Sequence, residues 1–120
     1  MRNFRELEVW KEARMLVKDI YNTTKRLPSS EQYGLISQIN RCAVSIPANI
    51  AEGCSKYSQK DFVRFLQISL GSAFELETHL LLCEDLNFLS SEVTKPSIKK
   101  LQRLQRRIAS LIKFNLSNHH

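Results

Sequence analysis

Residues 41–53 read Arg-Cys-Ala-Val-Ser-Ile-Pro-Ala-Asn-Ile-Ala-Glu-Gly, a stretch in which every neighbour of Pro47 favours an uninterrupted amphipathic helix. Ile39, Ala43, Ile46 and Ile50 keep helical spacing through it. Pro47 removes one backbone donor and crowds the carbonyl of Ala43, a penalty of ~3 kcal/mol or more in a helix interior. Packing must offset that cost. The pattern predicts a helix over about residues 31–54, kinked at Pro47 and closed near Gly53, with Tyr33, Ile36, Ile39, Ala43, Ile46 and Ile50 inward. Ser45, Ala48 and Ala51 are small enough for a neighbouring helix to come close around the bend. A kinked helix with Asn49 and Glu52 near a freed carbonyl also resembles a polar notch. Packing is the preferred reading, so Arg41, Ser45, Pro47, Asn49, Glu52 and Gly53 are taken as a structural motif and not as an active site.

Outward from this segment the same periodicity recurs. Val9, Trp10, Ala13, Leu16, Val17, Ile20, Tyr21 and Leu27 mark a first helix over about 4–27, ended by Leu27-Pro28-Ser29-Ser30. Ser58 with Asp61 three residues later resembles a capping box and opens a third helix reaching about residue 86. Asn87 to Ser91 forms the next turn. A fourth helix over about 92–114 follows, with Pro96 compatible with its first turn and Ile98, Leu101, Leu104, Ile108, Leu111 and Ile112 on its inner face. Residues 115–120 are expected to fray, and His119-His120 reads equally as native sequence or an added remnant. Short connections between single-striped helices predict an all-α, antiparallel up-down-up-down four-helix bundle.

The third helix carries more apolar surface than one core requires. Phe62, Phe65, Ser69, Ala73, Leu76, Leu80 and Cys83 make one stripe; Leu66, Leu70, Phe74 and Leu81 make a second, about 100° further round. A chain of 120 residues is one domain, with no room for a second layer to cover both. The second stripe is therefore expected to meet another copy of the chain. Glu77 falls between Phe74 and Leu81 on it, where a carboxylate calls for a cationic partner such as Arg41 across the interface.

Composition excludes several classes. With 42% hydrophobic and 25% charged residues and only 3 Gly and 3 Pro, the chain is globular and poor in the turns that a many-stranded fold needs. No apolar run approaches the ~18 residues of a membrane span, and the start lacks a signal-type apolar core. Cys42, Cys54 and Cys83 are odd in number and lack metal-ligand spacing, which suits reduced thiols in a cytosolic protein.

A catalytic bundle would show its equipment. The paired Glu-x-x-His motifs of di-iron bundles are absent, and Glu75 with His79, spaced by four, reads as a solvated surface pair. No Arg stands four to six positions before any His, as the small helical RNases require, and His79 one turn from Cys83 reads as packing beside a core thiol. No catalytic residue, metal or cofactor is expected.

Charge supplies the functional candidate. The net charge is +6, and residues 93–120 carry 7 basic and 0 acidic side chains. Lys95, Lys99, Lys100, Arg103, Arg106, Arg107 and Lys113 lie on the arc opposite the apolar stripe of the fourth helix. Cations without acidic neighbours repel one another and favour an anionic backbone. Stacking aromatics are not interleaved with them, so binding to RNA or DNA is expected to be phosphate-driven and weakly sequence-selective. The alternative is an adaptor that docks on an acidic protein surface.

The residues Phe4, Leu7, Val9-Trp10, Ala13, Tyr33-Gly34-Leu35, Gln38, Arg41 and Ser45 to Gly53 carry a resemblance that continues through Phe65-Leu66, Gly71-Ser72 and Glu75-Leu76-Glu77. Together they resemble the bacterial four-helix-bundle proteins encoded in intervening sequences of 23S rRNA genes. That family includes relatives of the accessory variability determinant of diversity-generating retroelements. The resemblance spans about residues 4–89; the fourth helix is similar in character only. It implies the bundle fold, a homopentameric barrel and a non-enzymatic activity, with nucleic acid and a reverse transcriptase bound through a basic surface. Only the character of Lys99, Lys100, Arg103, Arg106 and Arg107 carries over. Five copies at +6 each would sum to +30.

Overall fold

The computed structural model describes residues 2–117. Four helices account for most of them: α1 (Glu8–Thr24), α2 (Ser37–Cys54), α3 (Gln59–Asp85) and α4 (Ser91–Ser117). Each packs along its neighbour in sequence, α2 against α3 most extensively, and α1 closes the ring against α4. The result is a four-helix bundle 49 Å long and about 20 Å across (22 × 19 Å). Ile20, Ile39, Ile46, Ile50, Phe62, Leu66, Leu76, Leu80, Leu101, Leu104 and Ile108 are fully buried between the helices.

The first helix is shorter than its apolar spacing suggests. Phe4–Glu6 is a separate 3-10 turn capped by the Asn3 side chain, and Leu7 is extended (φ −75°, ψ 126°). The break lets Phe4 fold back so that its ring meets Trp10 edge-on at 5.0 Å. The start of the chain is tied to the far helices as well. Arg2 donates its backbone N–H to Cys54 O and its guanidinium to Gln59, and it stacks on the Phe62 ring at 3.9 Å.

The segment ahead of α2 also departs from expectation. Residues 31–36 do not continue the helix: Gln32–Ile36 is a wide π-type turn with Gly34 outside helical geometry (φ −107°, ψ −107°). Tyr33, expected inward, is consequently 92% exposed. Within α2, Pro47 sits inside the helix and the surrounding turns are supported by side chains. Ser45 Oγ donates to Cys42 O, Asn49 Nδ2 donates to Ser45 O, and the fully buried Ser69 of α3 donates its hydroxyl to Ile46 O at 2.9 Å. The carbonyls they meet, those of Cys42, Ser45 and Ile46, adjoin the Ala43 carbonyl that the proline leaves without its helical donor.

Gly53 does more than close α2. It is buried and still helical, and a Cβ there would fall 2.8 Å from Phe65 Cβ and 3.3 Å from Phe62. The glycine is what lets the end of α2 approach the start of α3. The Ser58 hydroxyl accepts the Asp61 N–H as an N-cap. At the other end of α3, Asn87 is left-handed (φ 62°), with Asn87 N–H on Glu84 O and Phe88 N–H on Cys83 O, the paired bonds of a Schellman close.

The fourth helix begins at Ser91 and runs to Ser117, so Pro96 stands in its second turn. Residues 115–117, expected to fray, belong to it: Asn115 is buried and accepts from Gln59 of α3. His119-His120 lies outside the described residues. No helix among the described residues is long and apolar enough to cross a membrane.

Candidate nucleic-acid interface

The basic arc of α4 divides into two rows because a helix turns about 100° per residue. Lys95, Lys99, Arg106 and Lys113 fall within roughly 40° of one another on its outward face, and all four are exposed. Their span is ~27 Å at ~1.5 Å per residue. None of the four has an acidic partner among the described residues.

The second row is already paired. Lys100 Nζ lies 2.8 Å from Asp19 Oδ2, while Arg107 Nη1 and Arg103 Nε lie 2.6 and 3.6 Å from Glu12 Oε1. This corrects the expectation that all seven cations lack acidic partners. Glu12 and Asp19 belong to α1, eighty or more residues away in sequence, and only the closing of α1 on α4 brings them in. The arc therefore keeps seven positive charges against two negative ones, a balance of +5. These are exposed or half-exposed pairs, each contributing ~0.2–1 kcal/mol. They are weak enough for phosphate to compete.

The second stripe of α3 is only partly free. Leu66 is wholly buried in this chain's own core, which corrects its assignment to an interface; at its angle it points into the α3–α4 seam. Leu70 is half-buried against the core, whereas Phe74 (55%) and Leu81 (44%) are exposed. Ile68, Leu82 and Leu86 are exposed as well, but lie roughly 80–140° further round the same helix. Within the chain the two carboxylate oxygens of Glu77 accept from Gln102 and Gln105 of α4 at 3.0 and 2.9 Å. Arg41 is exposed on α2.

One constellation joins residues that are remote in sequence. Cys42 of α2 donates its thiol to Glu75 Oε2 of α3 at 3.0 Å, and His79 Nε2 lies 3.3 Å from the same oxygen. Burial, then the Glu75 hydrogen bond and charge, push the Cys42 thiol up to about 12, against a smaller lowering by Arg41. The thiol of Cys42 and the histidine hold the Glu75 carboxyl below its usual range. Sequence spacing associates His79 with Cys83 one turn on, but Cys83 faces the core and Cys42 is the neighbour. Position 42 gives no local signal of this; it follows only from the register of α2 on α3.

Fold and surface define a basic all-helical bundle with an outward cationic row and several exposed apolar side chains on its third helix. A family model described as 23S rRNA-intervening sequence protein matches residues 5–110, and the chain belongs to that family. Among solved structures it is similar to a Bacteroides thetaiotaomicron VPI-5482 protein of unknown function from the S23 ribosomal protein family. The two share 29% identity at a TM-score of 0.80, over 88% of this chain and 98% of that one. No curated protein matches the chain.

Proposed function

We propose that this protein is a non-enzymatic, self-associating bundle that holds RNA or DNA through the outward row of α4. The observation that carries the reading is the line of Lys95, Lys99, Arg106 and Lys113 along ~27 Å of helix, none of them in an ion pair among the described residues and with Glu92 the acidic side chain at its N-terminal end. A polyanion approaching that row releases counterions and meets four cations against the single carboxylate of Glu92 at one end. Arg103, Lys100 and Arg107 flank it and can turn from Glu12 and Asp19 to phosphate. The family's description, which places its members in intervening sequences of 23S rRNA, is consistent with a nucleic-acid setting. No aromatic side chain interrupts the row between Lys95 and Lys113, so the protein meets the phosphate backbone and not stacked bases.

Filter binding across a salt series tests this. Structured RNA and single-stranded DNA should be retained at low salt, with log affinity falling linearly against log salt. Changing Lys95, Lys99 and Arg106 to Ala should flatten that slope by ~0.7–0.9 for each phosphate no longer neutralised. Absence of retention at low salt, or a slope untouched by the triple substitution, overturns the reading.

Self-association rests on α3. Gly71 stands in the middle of this helix with nothing within 4 Å of where its Cβ would be, although glycine there costs ~1 kcal/mol relative to alanine. The single chain offers no packing reason for it. Phe74 and Leu81, three and ten residues further along the same helix, are exposed apolar side chains. A second copy seated there accounts for both the missing side chain and the exposed ones.

A further inference from the structure

We propose that Cys42, Glu75 and His79 form a three-ligand site for Zn²⁺ that ties α2 to α3. Their donor atoms, Sγ, a carboxylate oxygen and an imidazole nitrogen, all lie within 4.8 Å of one another. The edges of a tetrahedral zinc site with metal–ligand distances of ~2.0–2.3 Å are ~3.3 Å between N and O and ~3.5 Å to sulfur. The observed 3.3 Å between His79 Nε2 and Glu75 Oε2 fits the first, and the 3.0 Å from Cys42 Sγ to the same oxygen requires an opening of about 0.5 Å to reach the second. The spacing of four between Glu75 and His79 sets two donors on one face of α3. The third arrives from the facing turn of α2.

The surroundings suit a divalent cation. Thiolate and carboxylate together bring two negative charges to one point, opposed at the thiol by Arg41, beside it on α2. His79 Nδ1 is buried with no hydrogen-bond partner, so the ring is held by packing with its Nε2 edge toward Cys42 and Glu75. Glu75 is 56% exposed, whereas Cys42 is buried. The metal thus enters from the solvent side and keeps a water as its fourth ligand, as three-residue zinc sites do. Binding replaces the thiol proton: the S–H bond breaks, the S–Zn bond forms, and one proton passes to solvent. No electron is transferred. Nucleophilic use of the same cluster is disfavoured, because a buried thiol hydrogen-bonded to a carboxylate is the reverse of an activated cysteine.

Titration with Co²⁺ as a zinc probe tests the proposal, in a chain carrying His119→Ala and His120→Ala so that the terminal pair cannot bind metal. One equivalent should develop a thiolate-to-metal charge-transfer band in the near ultraviolet and the visible bands of a tetrahedral site, both displaced by Zn²⁺. Cys42→Ser should abolish the charge-transfer band. Glu75→Gln and His79→Gln, which alter exposed or part-exposed positions, should each lose saturation at one equivalent while keeping the parent's helical circular dichroism. They decide the matter should Cys42→Ser fail to fold. A parent without the charge-transfer band overturns the site, as does a band that survives Cys42→Ser or is indifferent to both Glu75→Gln and His79→Gln.

Discussion

Gly53 is the residue on which the α2–α3 contact turns. The atoms that a Cβ would meet are Phe65 Cβ at 2.8 Å and the Phe62 carbonyl and ring at 3.3 Å, and neither a Cβ nor a backbone oxygen can rotate aside. Gly53→Ala should therefore destabilise the fold by ~1–3 kcal/mol through overpacking, despite the better helix propensity of alanine. The midpoint of urea unfolding reads this directly. Spacing presents Gly53 only as a helix end, because the approach of Phe65 is a fact of tertiary packing.

The buried thiols act at the same scale. Burial raises Cys54 and Cys83 above the ordinary 9.0, and Cys42 further still. Below pH 9 the thiols are protonated in both folded and unfolded chains. Above it the unfolded thiols ionise first, so the unfolded state binds fewer protons and stability falls as the pH rises. Chelator-treated protein should lose urea resistance between pH 9 and 11, and Cys54→Ala with Cys83→Ala should flatten that slope. An unchanged slope in the double variant would show that Cys54 and Cys83 do not couple to folding.

Among the elements, α4 and α1 share a charge balance that neither shows alone. Glu12 holds Arg107 and Arg103 through one oxygen, while its other oxygen is buried without a partner. Glu12→Gln removes that hold and adds one positive charge. It should tighten nucleic-acid binding at low salt and steepen the salt dependence, at a stability cost of ~1 kcal/mol or less for exposed pairs. Weaker binding would mean that the Glu12 pairs position the arginines instead of masking them. The cationic arc was legible in the sequence because all seven residues share one helix. Its division into a free row and a paired row was not, since Glu12 and Asp19 come from the other end of the chain.

For the whole molecule, the proposed self-association places its interface on α3. Light scattering at micromolar concentration should report a multiple of the 13.9 kDa chain mass. Phe74→Glu should reduce it to one chain, and Gly71→Ala should weaken assembly instead of stabilising the helix by the ~1 kcal/mol that propensity alone gives. A monomeric parent, or a Gly71→Ala protein more stable and equally assembled, would remove this interface.

By itself the sequence determined the number and order of the helices, the four-helix bundle, the Ser58 cap and the family, because apolar period, capping chemistry and short connections are local properties. It marked Pro47 as a position whose cost the fold must offset, and the structure shows side-chain donors on neighbouring carbonyls: Ser45 on Cys42 O and Asn49 on Ser45 O within α2, and the buried Ser69 of α3 on Ile46 O. Helix ends were blurred at both ends of the chain, where Leu7 breaks α1 and Asn115 extends α4. Only tertiary structure decided that Leu66 lies in the core, that Glu77 meets two glutamines, that Glu12 claims two arginines and that Cys42 stands beside Glu75 and His79. Each of these depends on the register of one helix against another, a relation between positions up to ninety-five residues apart that no window along the chain contains.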